Sequence, residues 1–138
     1  MPARSSYDYA ILRVVPLDER GECLNVGVVL ISRQRRFLGM RLAVDEARLR
    51  SFWPPLDLEL VRQQLDGLRR VCEGDPTAGP IARLSQAERF HWLTAPSSTI
   101  IQPSPAHSGL CSDPAAALDE LLTRLVLAPS PPPSPAPE

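Results

Sequence analysis

The side chains able to do chemistry gather in one stretch, Glu88 to Cys111, which reads ERFHWLTAPSSTIIQPSPAHSGLC. It holds both histidines, His91 and His107, together with Cys111 and the serines Ser97, Ser98 and Ser104. A cysteine or serine nucleophile needs a base within hydrogen-bond reach and a third group that orients the base. The residue types are present, with Cys111 or a serine as nucleophile and His107 or His91 as base. A small hydrolase or transferase is therefore one reading. Cys111 also stands two residues before a helix start signal at Asp113, where the positive end of a helix lowers a thiol pKa. No GxSxG elbow surrounds any serine. His91, His107 and Cys111 supply three zinc-type ligands, enough for an open site, but their spacing matches no paired structural motif. No catalytic residue, metal ligand or cofactor is assigned on these grounds.

The same stretch has a second reading, as a contact surface made of Arg89, His91, Trp92, Gln102, His107 and Cys111. Pro96, Pro103, Pro105 and Pro114 frame it, and stiff polar loops often carry binding. Phe90 and Trp92 stand two apart; in extended chain they share one face, with His91 opposite, and core packing accounts for them. A second cluster, Arg33, Arg35 and Arg36, sits between two strand-like runs. Guanidinium groups suit bidentate contacts with phosphate or carboxylate, so this tip is a candidate contact for nucleic acid or an acidic protein surface.

These residues need elements to hold them. Tyr7 to Pro16 and Cys23 to Ser32 read as strands. In the second run both alternate sets are apolar, so it is covered on both faces and central in its sheet. Arg33 to Arg36 makes a hairpin tip, and Phe37 to Ala43 a third strand of an antiparallel meander. Asn25-Val26-Gly27 lies inside the central run, where glycine signals a bulge or a close backbone approach. Asp45 caps a short helix reaching Phe52, where Trp53 before Pro54-Pro55 plugs the helix end. Asp57 caps a longer helix with Leu58, Val61, Leu65, Leu68 and Cys72 on one face, and Gly74 stops it. Ser85 and Glu88 match a capping box. Ser98 to Gln102 reads as one short strand ended by Pro103. Asp113-Pro114 opens a last helix carrying Leu118, Leu121, Leu122 and Leu125. The expected fold is α+β, a small antiparallel sheet of a three-stranded meander plus one short strand, packed against helices.

Composition narrows the classes. The 138 residues suit one domain, read as 1–127, and the net charge of -1 argues against a general nucleic-acid or membrane coat. All 15 basic residues are arginine. No run is long and apolar enough for a membrane span, and the first residues lack a secretory core. Three widely spaced cysteines form no disulfide framework, which fits reduced thiols and a cytoplasmic setting. Six of the 16 prolines crowd into APSPPPSPAPE, read as a disordered proline-rich tail over 128–138. P-loop, GxGxxG, HExxH and calcium-loop patterns do not occur.

The segments YDYAILRVVPLDERGECLNVGVVL, RRFLGMRL, GPIARLSQAERFHWLTAPSSTIIQPSPAHSGLC and DPAAALDELL, taken as a set, resemble the bacterial domain-of-unknown-function family 3037. The resemblance runs from Ser6 to Val126 and leaves the proline tail outside. Its matching positions include Asn25, Gly27, Arg89, His91, Trp92, Gln102, His107, Gly109 and Cys111. It assigns no catalytic residue, but it implies a gene neighbour encoding a kinase resembling the toxin HipA, and so a small companion or regulator of that kinase. The leading reading is a non-enzymatic protein-interaction or regulatory module with a HipA-like kinase as partner. The Cys111 or serine enzyme and nucleic-acid binding through Arg33–Arg36 are the alternatives. Oligomeric state is not fixed by any of these residues.

Overall fold

The computed structural model describes residues 3–128, so most of the proline-rich tail, from residue 129, lies outside the described residues. The expected α+β class is what forms, with five strands among the described residues rather than the four expected. Strands β1 (Ser5–Val14), β2 (Leu24–Ser32) and β3 (Phe37–Leu42) make the meander; β4 (Ile101–Pro103) and β5 (His107–Cys111) complete the sheet. Helices α1 (Glu46–Phe52), α2 (Leu58–Cys72), α3 (Gln86–Leu93) and α4 (Pro114–Leu125) cover it. Among the described residues no helix is long and apolar enough to cross a membrane.

Antiparallel pairing runs β3-β2-β1, with β4 and β5 both on the outer edge of β1. Leu12 lies opposite Gly27 and Arg13 opposite Asn25, so Val26 is the extra residue of a bulge. Gly27 is required by close approach as well: a Cβ there would meet the Leu42 side chain at 2.6 Å and the Arg41 carbonyl at 3.0 Å.

Both faces of the sheet are covered, which accounts for the two apolar sets of β2. Ala10, Leu12, Val29 and Ile31 pack on Val71 and Cys72 of α2 and on Phe90 and Leu93 of α3. Val14, Val26 and Ile101 extend that layer onto Leu49 of α1 and Val61 and Leu65 of α2. On the other face Val28 and Leu30 meet Leu118, Leu121 and Val126, with Tyr7 and Tyr9 along the flank. Each buried leucine or valine of this set contributes about 1.5–3 kcal/mol. Local signals set the helix starts. The side chains of Asp45, Asp57, Ser85 and Asp113 accept backbone N–H bonds from Arg48, Leu60, Glu88 and Ala115.

The fourth strand departs from expectation. Ser98 to Ile100 are not strand; β4 begins at Ile101 and includes Pro103, opposite Leu12. Proline is tolerated because β4 is an edge strand. A second segment, β5, then pairs Tyr9 with His107 and Ser5 with Cys111. From Leu12 to Tyr9 is three steps, whereas Pro103 to His107 is four, so one residue is surplus. Ser104 spans the gap. Its N–H donates to the Ile11 carbonyl at 2.8 Å. Its hydroxyl accepts from the Ile11 N–H at 2.8 Å and donates to the Pro105 carbonyl at 2.9 Å.

Phe90 and Trp92 also depart from expectation, because their segment is helix α3 and not extended chain. Two residues of a helix lie about 200° apart. Phe90 is accordingly 4% exposed in the core and Trp92 is 42% exposed. Trp53 caps α1 as expected, and the Arg20 guanidinium stands 5.7 Å from its ring centroid.

Ser104→Ala leaves the Ile11 N–H buried without a partner and is expected to cost about 1–3 kcal/mol in urea unfolding. Ser97→Ala, at an exposed position, is the comparison and should change little; equal effects would contradict the bridging role of Ser104.

Candidate functional site

The residues singled out in the sequence do not meet at one point. Arg89 is structural: its guanidinium donates to the carbonyls of Leu84, Val71 and Cys72, closing the C-terminal end of α2 beside Gly74, whose φ is +73°. Gln102 donates to Asp18 Oδ1 and to the Thr99 carbonyl, both at 3.1 Å, and so pins the loop before β4. The motif residue Asn25 donates to the Leu125 carbonyl at 2.9 Å, tying β2 to the end of α4. His91 is exposed on α3, in the layer that covers the Leu12 face. His107 lies on the opposite face, its ring centroid 5.4 Å from that of Tyr9.

Cys111 shares a face with His107 but not a contact. Four residues of strand put their Cα atoms about 13 Å apart. Gly109 lies between them, and the Tyr7 ring crosses it where a Cβ would stand 2.5 Å away. Burial pushes the Cys111 thiol up, Asp113 adds to the rise, and Arg35 pulls only partly against it. The expected lowering by the α4 N-terminus does not occur. Asp113 itself accepts the Ala115 and Ala116 N–H groups, so its carboxylate already neutralises that end. Ser104 is committed to the sheet, and the Ser97 and Thr99 hydroxyls bond each other at 2.9 Å. Among the described residues, no three His, Cys, Asp or Glu side chains gather into a metal-holding set.

The arginine tip is largely committed to the protein's own chain. Arg33 pairs with Asp8 at 3.0 Å. Arg35 donates to the Ser5 hydroxyl at 2.7 Å and to the Ala3 carbonyl at 2.6 Å. Arg36 turns the hairpin at φ +50° and offers its carbonyl to Gln86. Asp8 also accepts from the Ser108 hydroxyl at 2.7 Å. That bond, with Arg33, holds its carboxyl below the ordinary range against the opposing effect of burial.

What the fold does build is a groove of about 600 Å³. Its floor is Leu12, Ile101 and Pro103 of the sheet, and one wall is the flank of α2 with Gln63, Gln64, Gly67 and Arg70. Thr77, Ala78 and the segment from Trp92 to Thr99 close the other side. The volume falls in the usual range for ligand sites, with an apolar floor and a polar rim. Its only titratable lining residue is Arg70, whose guanidinium bonds Asp75 at 3.3 Å and Thr77. Such a lining can hold a ligand but offers no general acid, base or nucleophilic thiol. Of the residues expected at a site, Trp92 and the candidate serine Ser97 line it, the latter with its hydroxyl bonded to Thr99.

Gln63, Gln64 and Gly67 were not anticipated. The available signal was Gly67, a glycine inside a helix, which costs about 1 kcal/mol relative to alanine. A Cβ at Gly67 would meet nothing within 4 Å, so packing within the chain does not require the glycine.

The family model described as "Protein of unknown function (DUF3037)" matches residues 9–126. No curated protein and no solved structure matches the chain.

Two expectations follow from the shifted groups. Burial pushes the Cys72 thiol up to about 12, so iodoacetamide at pH 8 should leave Cys72 unmodified until the protein unfolds. Cys111 should alkylate more slowly than a free cysteine peptide; faster labelling would restore it as a nucleophile. Asp8, its side chain 33% exposed, has a lowered folded pKa. It stabilises the fold above its unfolded pKa, and this is lost as pH falls through the folded value. Asp8→Asn should cost under about 1 kcal/mol at pH 7. At pH 2.5 the cost should shrink towards zero, and an equal cost at both pH values would contradict the assignment.

Proposed function

The chain belongs to the DUF3037 family, and from that premise we propose that it is a non-enzymatic interaction module whose groove takes an extended apolar segment of a partner protein. The partner to test first is the HipA-like kinase that the family resemblance implies, with this chain as its companion or regulator. The observation that carries the reading is Gly67 in the groove lining, a helix-weakening residue with open space before it, in a groove that the exposed Trp92 also lines. A glycine lets another chain come close to the helix backbone. Tryptophan is among the residues most often dominant in protein interfaces.

The alternatives have less beneath them. An enzyme built on Cys111 has carboxylates nearby, Asp113 and Glu120, but no histidine at the thiol, which burial pushes up rather than down, and the groove lining holds no carboxylate, histidine or cysteine. Nucleic-acid binding through the hairpin tip would have to break the bonds of Arg33 and Arg35 to Asp8, Ser5 and Ala3. The contact surface therefore narrows from the whole Arg89–Cys111 stretch to Trp92 and the loop that follows it.

Gly67→Arg is the decisive variant, because it sends a long side chain into open groove space and replaces a poor helix former. Co-expressed with a HipA-like kinase of the kind the family resemblance implies, the wild type should co-purify with it. Gly67→Arg should weaken the complex at least about tenfold, a loss of about 1.4 kcal/mol, with an unchanged or higher melting temperature. A wild type that runs alone in size-exclusion and pull-down experiments, or a Gly67→Arg protein that binds normally, would refute the reading.

A further inference from the structure

The outer edge of β5 is a second surface, separate from the groove. We propose that two copies of this chain pair along it, antiparallel about a two-fold axis at Gly109, so that His107 of each meets Cys111 of the other. Among the described residues β5 has β1 on one side and no neighbour on the other. A bare strand edge is a template for another strand, and folds blunt such edges with proline or charge. β4 holds Pro103, and at β3 the Arg41 guanidinium bonds the Met40 carbonyl at 3.2 Å. β5, reading HSGLC, has no proline, carboxylate, lysine or arginine. Its Leu110 is 64% exposed, the highest value for a large apolar side chain among the described residues.

Backbone alternation fixes the register. Ser6 directs its N–H towards the hairpin, to Gln34 Oε1 at 3.3 Å, whereas Ile11 exchanges bonds with Ser104 on the opposite side. Odd-numbered residues of β1 therefore bond towards β5, and their partners His107, Gly109 and Cys111 bond back. Ser108 and Leu110 are left with N–H and C=O groups that point outward. Within β5 only those two can bond a second strand, and pairing each with the other aligns all five residues of both copies. Ser108 then faces Leu110 of the second copy, Gly109 faces Gly109, and His107 faces Cys111. The last two are non-hydrogen-bonded pairs, with Cα atoms about 4.5 Å apart and side chains at their closest. Glycine on the axis leaves room for the two Tyr7 rings, each of which already covers its own Gly109. The two Leu110 side chains become diagonal neighbours about 7–8 Å apart and shield each other. The strand ends also match in charge. The imidazole of His107, the one basic side chain of β5, arrives beside a thiol that feels the Asp113 carboxylate. A thiol and an imidazole that one chain keeps about 13 Å apart are thereby brought together twice.

The test uses the full-length chain. Size exclusion with light scattering should give twice the chain mass of 15.2 kDa. His107→Cys sets a thiol opposite Cys111 of the second copy, within the roughly 4.4–6.8 Å Cα separation that a disulfide bridges. Mild oxidation should then yield a covalent dimer, which adding Cys111→Ser to the same chain abolishes. Ser108→Cys, on the other face of the strand, should yield none. The wild type should yield none either, because its two Cys111 residues lie about 13 Å apart in this register. Leu110→Pro removes an outward N–H that β1 does not use, and Leu110→Lys sets two like charges in diagonal contact. Both should weaken the dimer at least about tenfold, and Leu110→Lys should keep the wild-type melting temperature. A wild type that stays at the mass of one chain at every concentration would overturn the proposal. So would a dimer that His107→Cys does not cross-link, or one that survives both Leu110 substitutions.

Discussion

Strand β1 must satisfy hydrogen bonds along both of its edges, and the rest of the molecule is arranged around that requirement. One edge is closed at once by β2, the next strand in the chain. The other is closed by β4 and β5, with Ser104 joined to Ile11 across 93 residues of sequence. The pairing could not run straight, because one residue is surplus between Pro103 and His107. The Ser104 hydroxyl takes the place of a backbone partner there, which keeps the Ile11 N–H bonded in a site where an unbonded group would be costly.

The groove is a consequence of the same closure. To reach the outer edge of β1 the chain must leave α3, in the helical layer, and descend to the sheet. It does so through the segment from Thr94 to Ile100, which with the flank of α2 borders the groove. The descent also divides the candidate chemistry. His91 stays above on α3, while His107 and Cys111 are carried to the far face, held apart by Tyr7 over Gly109. Residues that are neighbours in sequence thus end on opposite sides of a sheet, and what remains in the groove is surface suited to recognition.

The arginine-only basic set has an outcome of the same kind. Along α2, Arg62 pairs with Glu46 and Glu59, and Arg69 with Asp66 and Glu73, all on exposed surface. Arg41 reaches Asp119 of α4, and Arg89 closes the end of α2. Such pairs add little stability one by one. Their effect is to leave no broad unpaired basic face among them, in keeping with the net charge of -1.

The sequence by itself determined whatever depends on near neighbours. The caps at Asp45, Asp57, Ser85 and Asp113, the stop at Gly74, the hairpin at Arg33–Arg36 and the doubly apolar β2 were all legible, because each is decided within about one turn or one strand. Gly27 was legible as a place of close approach, although its neighbour across the sheet was not. Tertiary structure alone decided β5, whose HSGLC carries little strand propensity and pairs because β1 offers a free edge. It alone placed Pro103 inside a strand, turned Trp92 outward on α3, and brought Gly67 and Trp92 into the lining of one groove. Each of these rests on a contact between segments far apart in the chain. No local spacing encodes such a contact, since the partner is chosen by what the rest of the fold leaves exposed.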